Sequence, residues 1–256
     1  MNDKRLTIVI VHLSLFLIGL GFVSAHAEDN TTEEVGLWLP VNLELPITDK
    51  LSFTTEPQFR WVDKGRHANQ QQWRNALNYQ INDTFEVTVG HMWTARHAKG
   101  EELFSDRTTY ENRLYQDLNI KQAPIRPLEK LKVDHRLRLE ERLLRDIEDP
   151  IWYGRYRLRL TYPLGKSKTK EGKAFSPKTQ AVHSSELLVH LNRVDTTAHG
   201  LVQQRYFFGV NHKINPHLNV DAGYMLVLGD QLEESKGNFI NHLLLIQFNI
   251  RPDFKK

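Results

Sequence analysis

The 256-residue chain has no cysteine, which excludes disulfides, thiolate metal sites and thiol nucleophiles. It also lacks an excess of either charge: Lys+Arg 34 stand against Asp+Glu 31, a formal net charge of +3. A nucleic-acid binder would carry a stronger basic excess gathered into a patch, so nucleic acid is not an expected partner. There is no Gly-rich phosphate loop and no helical dinucleotide unit. After Val23 no apolar run is long enough for a membrane helix. The mean hydropathy of -0.50 reads as soluble, but alternating strands average to near neutrality even when one face meets lipid.

What is present begins at the N-terminus. Lys4 and Arg5 precede an apolar run from Leu6 to Val23, and "SAHA" follows with Ala25 and Ala27 in small-x-small spacing. That is the pattern of a secretory signal peptide, predicted over residues 1–27, rather than of an uncleaved anchor. Residues 28–34, "EDNTTEE", are read as a polar leader, and 35–256 as a single domain.

Throughout that domain apolar residues recur at every second position. In "LKVDHRLRLEERLLRD" Leu131, Val133, Leu137 and Leu139 alternate with Lys132, Asp134, Arg136, Arg138 and Glu140. Leu, Arg and Glu favour helices, but this period is that of a strand with one apolar and one charged face. "VGLWLPVNLEL", "LSFTTEPQFRW", "WRNALNYQI", "FEVTVGHMW", "YENRLYQDLNI" and "WYGRYRLRLTYPL" repeat it, and four further segments continue to Ile250. Each is about 9–12 residues, the length of a tilted strand crossing a bilayer.

The connections alternate too. "PITDK", Asn82-Asp83 and "NPH" are tight turns, while longer polar loops cover residues 62–71, 95–107, 144–151, 195–199 and 229–237. Short turns on one rim and long loops on the other are the outer-membrane barrel pattern. Two exceptions, 121–130 and the Lys-rich 165–182, fall on the short-turn rim. The predicted fold is therefore all-β: an antiparallel up-and-down transmembrane barrel of about 10–12 strands, in the cell outer membrane. Eleven segments are counted, whereas an even number is expected. Either the N-terminus threads the lumen, or one long connection hides a strand, or the rim assignment fails at the first segment.

In such a barrel the charged face lines the lumen. Arg136, Arg138, Glu140, Arg142, Arg155, Arg157 and Arg159 form its charge wall. Pairing Asp117 with Arg136, Arg113 with Glu140 and Glu111 with Arg142 avoids like-charge opposition and is the register predicted for that hairpin. The wall is either an anion-attracting stretch of a pore or a structural lumen whose arginines bond Glu56, Glu86, Glu186 and Asp221. Trp61, Trp73, Trp93, Tyr110 and Trp152 border the long loops on the apolar face, as an interfacial girdle does.

"YENRLYQDL", "HRLRLEERL", "RYRLRLTYPL" and "LNVDAGYM", in this order, resemble the family catalogued as domain of unknown function twenty-four-ninety. The resemblance covers nearly the whole mature chain and implies an outer-membrane β-barrel, with no catalytic or binding residues to carry over.

His67, His97 and His199 sit in long loops without metal-ligand spacing, so no metal and no cofactor is expected. His183, Ser184 and Ser185 offer hydrolase residue types without a nucleophile-elbow pattern, so the chain is not expected to be an enzyme; an outer-membrane hydrolase is the minor alternative. The main alternative is a secreted soluble barrel or sandwich with the apolar face inward around an apolar ligand. The expected function is passive: a narrow channel for small solutes or anions, or a structural barrel with ligand-binding external loops. The expected partners are outer-membrane lipid and, during insertion, the barrel-assembly machinery, whose terminal aromatic signal Phe248 or Phe254 would supply.

Overall fold

The computed structural model describes residues 31–97, 108–123, 128–145, 149–165, 168–170, 173–175, 178–192, 200–230 and 238–253. The expected signal peptide and cleavage point lie outside them. Eleven strands close into a barrel: β1 (Thr32–Pro46), β2 (Leu51–Val62), β3 (His67–Gln80), β4 (Phe85–Arg96), β5 (Thr109–Gln122), β6 (Lys132–Leu144), β7 (Ile151–Leu164), β10 (Thr179–His190), β11 (Gly200–Asn215), β12 (Leu218–Asp230) and β13 (Asn238–Ile250). β8 (Lys168–Lys170) and β9 (Lys173–Phe175) form a separate two-stranded sheet between β7 and β10. The Lys-rich connection, one of the two exceptions on the short-turn rim, thus carries a short hairpin. β1 starts at Thr32, inside the expected polar leader.

All neighbours pair antiparallel except β1 and β13, which are parallel. An odd number of up-and-down strands can close only with one such pair. The even-number expectation therefore fails, while the count of eleven segments stands. No hidden barrel strand is needed: β1 starts at the long-connection rim, level with the start of β13, where Thr32 opposes Phe239.

The short-turn rim follows local chemistry. Thr48 Oγ1 accepts the Lys50 and Leu51 amides at 3.2 and 3.0 Å. Asn82 Oδ1 accepts those of Thr84 and Phe85, both at 2.9 Å. Asn215 Oδ1 accepts that of His217 at 2.8 Å. Such side-chain turns let the chain reverse within a few residues. At the other rim the expected loop 62–71 is instead a tight turn. Asp63, Lys64 and Gly65 adopt positive φ (50°, 56° and 86°) and β3 resumes at His67.

Sidedness runs as the alternation predicts. The outer face carries Val89 (63% exposed), Trp73, Leu77, Leu114, Leu137, Leu139 and Leu244, while Arg113, Asp117, Arg136, Arg138, Glu140 and Arg155 are buried inside. The inverted barrel is overturned by this. Trp93 stacks on Tyr110 with centroids 6.1 Å apart, and Trp73 stands opposite Trp93. Tyr79, Phe85 and Tyr162 are exposed near the other rim. From Phe85 to Trp93 and from Trp152 to Tyr162, at about 3.3 Å per residue and a tilt of about 40°, is roughly 20–25 Å.

The parallel seam is testable in a chain without native thiols. Leu37 stands directly opposite Leu244. The double variant Leu37→Cys/Leu244→Cys should cross-link on mild oxidation, seen as a mobility change on non-reducing gels. Leu37→Cys/Phe248→Cys, displaced by four residues or roughly 13 Å, should not.

Candidate functional site: an arginine-lined interior

The interior has two unlike walls. One, on β4 to β7, β10 and β11, is a continuous ion network around Glu140, which is 0% exposed. Glu140 meets Arg155, Arg142 at 3.0 Å, Arg138 at 3.4 Å and Arg113 at 3.7 Å. Arg138 clasps Asp117 through two bonds of 2.6 and 2.7 Å. Glu111 holds Arg113 through bonds of 2.5 and 2.9 Å, and Arg96 at 3.1 Å. Glu186 gathers Arg136, Arg155 at 2.7 Å and Arg205 at 3.6 Å. Fork-to-fork geometry lets Arg113, Arg138, Arg142 and Arg155 each serve two carboxylates.

The β5–β6 register differs from the predicted one by two residues. Asp117 faces Arg138, Tyr115 faces Glu140, and Arg113 faces Arg142. Direct opposition proves unnecessary because these side chains reach along and across strands. Arg113 bonds Glu111 two residues away on its own strand, and Arg142 bonds Glu140 in the same manner. The predicted contacts Arg113–Glu140 and Glu111–Arg142 survive as 3.7 Å diagonals. Arg136 turns from Asp117 to Glu186. The shift also brings Tyr115 beneath Arg138, 4.0 Å from guanidinium carbon to ring centre, with Arg74 at 5.9 Å.

Of the four acids expected to answer the wall, Glu186 does so, and Asp221 takes Arg159 at 2.9 Å from three strands away. Glu56 pairs with Arg74 at 3.0 Å, and Glu86 accepts from Asn119 at 3.2 Å. Arg157 stands opposite Arg136 and Glu186 in its two ladders.

The second wall, on β1 and β10 to β13, is apolar: Trp38, Val182, Phe207, Met225, Val227, Leu243 and Leu245 form one buried cluster, with Phe239 against it. Sequence reasoning missed it. The signal was "LLLIQF", a run apolar at consecutive positions and hence on both faces. Near mid-height, lumen-facing Glu140, Tyr115 (2% exposed) and Leu243 (1%) scarcely touch solvent. Side chains fill the barrel at that level.

Above this plug, toward the long-connection rim, lies a cavity of about 370 Å³. Arg60, Arg74, Arg96, Arg113, Arg142, Arg155 and Arg205 line it, with Trp38, Met92, Tyr153, Leu188, Val202 and Phe239, and among the described residues no carboxylate does. Arg60 and Arg205 approach the Trp38 ring at 4.3 and 5.8 Å. The Trp38 indole N–H donates to Gln58 at 3.0 Å. Of the predicted wall, only Arg142 and Arg155 reach this cavity; Arg60, Arg74, Arg96 and Arg205 lie on other strands and could be found only through three-dimensional closure.

His97 bonds Thr108 at 3.0 Å, and burial, with nearby His67, lowers its pKa. His199 lies outside the described residues. His183 Nε2 lies 3.0 Å from Ser185 Oγ, and its Nδ1 lies 3.1 Å from the Phe207 carbonyl. The pair sits on the outer face, and β10 is paired on both sides there. Its backbone N–H groups are thereby committed to the sheet rather than to an oxyanion.

An all-β barrel with a charged interior is the class this geometry defines. Residues 35–237 match the family described as "Protein of unknown function (DUF2490)", and the chain belongs to that family. No curated protein matches the chain.

Removing the central carboxylate should be costly. Glu140→Gln keeps the volume but strands the positive charge of four surrounding arginines. Loss of one partner of a buried charge pair costs about 3–5 kcal/mol, read as a lowered urea midpoint in micelles. Gly90→Ala should destabilise by about 1–3 kcal/mol through overpacking, because its methyl would overlap the Tyr115 ring.

Proposed function

We propose that this protein is an outer-membrane β-barrel with a closed interior, a non-catalytic scaffold that presents a cationic vestibule at its long-connection rim. The observation that carries the reading is its sidedness: a largely apolar exterior around an interior in which Glu140 has no solvent contact. Leucine rows facing water on every side would drive aggregation, whereas in a bilayer they are matched to their solvent. The two aromatic belts and their separation support the same placement, as does the signal-peptide pattern at the N-terminus. Lipid and the assembly machinery of the outer membrane are then its obligatory contacts. With short turns periplasmic, the vestibule opens to the exterior. The filled mid-height favours this scaffold over a narrow passive channel, since conduction needs a solvated path.

Two measurements test the placement and the closure separately. Val89→Arg puts a charge on the most exposed apolar position of β4. In bilayers it should cost about 2–4 kcal/mol of unfolding free energy; a neutral effect would argue for an aqueous exterior. In planar bilayers the wild-type protein should show no stepwise conductance, and regular openings would overturn the closed lumen.

A further inference from the structure

The cavity at the long-connection rim holds a charge imbalance that the described residues do not resolve. Seven guanidiniums line it, and the carboxylates that answer six of them, Glu56, Glu111, Glu140 and Glu186, lie outside its lining. Arg60 has no carboxylate partner among the described residues and rests on the Trp38 face. The Nε–H groups of Arg60, Arg74 and Arg155, all from cavity-lining arginines, are buried without a hydrogen-bond acceptor. Buried donors are nearly always satisfied in a folded protein, and a guanidinium edge with idle donors is shaped for a carboxylate or phosphate. Leu188, directly opposite Arg155 in its ladder, together with Val202 and Phe239 adds hydrocarbon to the same lining.

We infer that this vestibule is a binding site for a small organic anion bearing two or more negative charges and an apolar part. The charged end lies against Arg60, Arg74 and Arg155, and the apolar part against Leu188, Val202 and Phe239. Seven lining guanidiniums exceed their four answering carboxylates by three, and Glu140 and Glu186 also serve Arg138 and Arg136: a multiply charged anion offsets this excess, whereas a neutral or cationic solute leaves it standing. Strands wall the cavity on all sides, from Trp38 on β1 to Phe239 and Asn241 on β13. A lipid phosphate with its chains in the bilayer therefore does not reach it, and the anion comes from solution. This rests on the closed-lumen reading but not on where the barrel resides.

The test uses the full chain refolded in dodecyl maltoside, a neutral detergent, with heat-modifiable gel migration as the criterion of a formed barrel. Calorimetric titration with phenyl phosphate should show saturable 1:1 binding that weakens with added salt. Inorganic phosphate should bind several-fold more weakly, and phenol should not bind. Arg60→Gln removes a charge that has no carboxylate partner among the described residues and should fold, yet should bind phenyl phosphate at least tenfold more weakly. Arg159→Gln, whose arginine pairs with Asp221 in the other half of the barrel, should bind as the wild type does. No saturable binding by folded wild-type protein would overturn the inference, as would equal binding by Arg60→Gln or equal loss in Arg159→Gln. Equal affinity for inorganic and phenyl phosphate would remove the apolar half of the site. Conductance reports on closure independently, so a failed titration and an open pore are distinguishable.

Discussion

The structure depends on the burial of Glu140 among four arginines. A carboxylate without solvent contact is among the most expensive things a fold can contain, and only a near-complete ring of charged donors makes it tolerable. Here the donors come from β5, β6 and β7, and Arg155 links them through Glu186 to Arg136 and Arg205. No single hairpin can satisfy the group. The network is complete only when neighbouring strands stand in one relative register, so the electrostatic cost of any slip is concentrated at the barrel's centre. It does the work that a hydrophobic core does in a soluble domain, with directionality added.

The apolar interior wall answers a different need. β12 and β13 carry Met225, Val227, Leu243 and Leu245 inward, while outward positions such as Tyr224 and Leu244 are exposed and also apolar. These strands are apolar on both faces, as strands covered on both sides are. Trp38 is the join between the walls: it packs in the apolar cluster, donates to Gln58 and receives Arg60 and Arg205 on its ring. A barrel of eleven strands is close to the size that side chains alone can fill, and the two walls meet across it.

The presence and sidedness of the strands and the tight turns at Thr48, Asn82 and Asn215 were legible in the sequence because each is set by residues within a few positions. The register of β5 on β6 was not. Pairing Asp117 with Arg136 is as good a local solution as pairing it with Arg138, and the choice is made by Glu186 on β10, which claims Arg136. A residue more than forty positions away leaves no trace in the alternation of one hairpin. The vestibule was illegible for the same reason: Arg60, Arg74, Arg96 and Arg205 look like ordinary polar positions until closure brings β2, β3, β4 and β11 around one space. The turn at Asp63 misled by its polarity. "DKGRHANQQQ" reads as loop, yet from His67 onward these polar residues belong to β3.

The odd strand count places the least favourable ladder at one seam, since parallel pairing is slightly weaker per residue than antiparallel. That seam is where the interior is most apolar. Trp38 on β1 stands directly opposite Leu245 on β13, with Leu243 in the same cluster, so packing across the seam offsets what the ladder lacks. Had the ion network lain there instead, its charges would have been exposed each time the seam frayed, and fraying would have admitted water to Glu140. Charge at the interior of the antiparallel strands and hydrocarbon at the parallel join is the arrangement in which each kind of contact sits where its failure costs least.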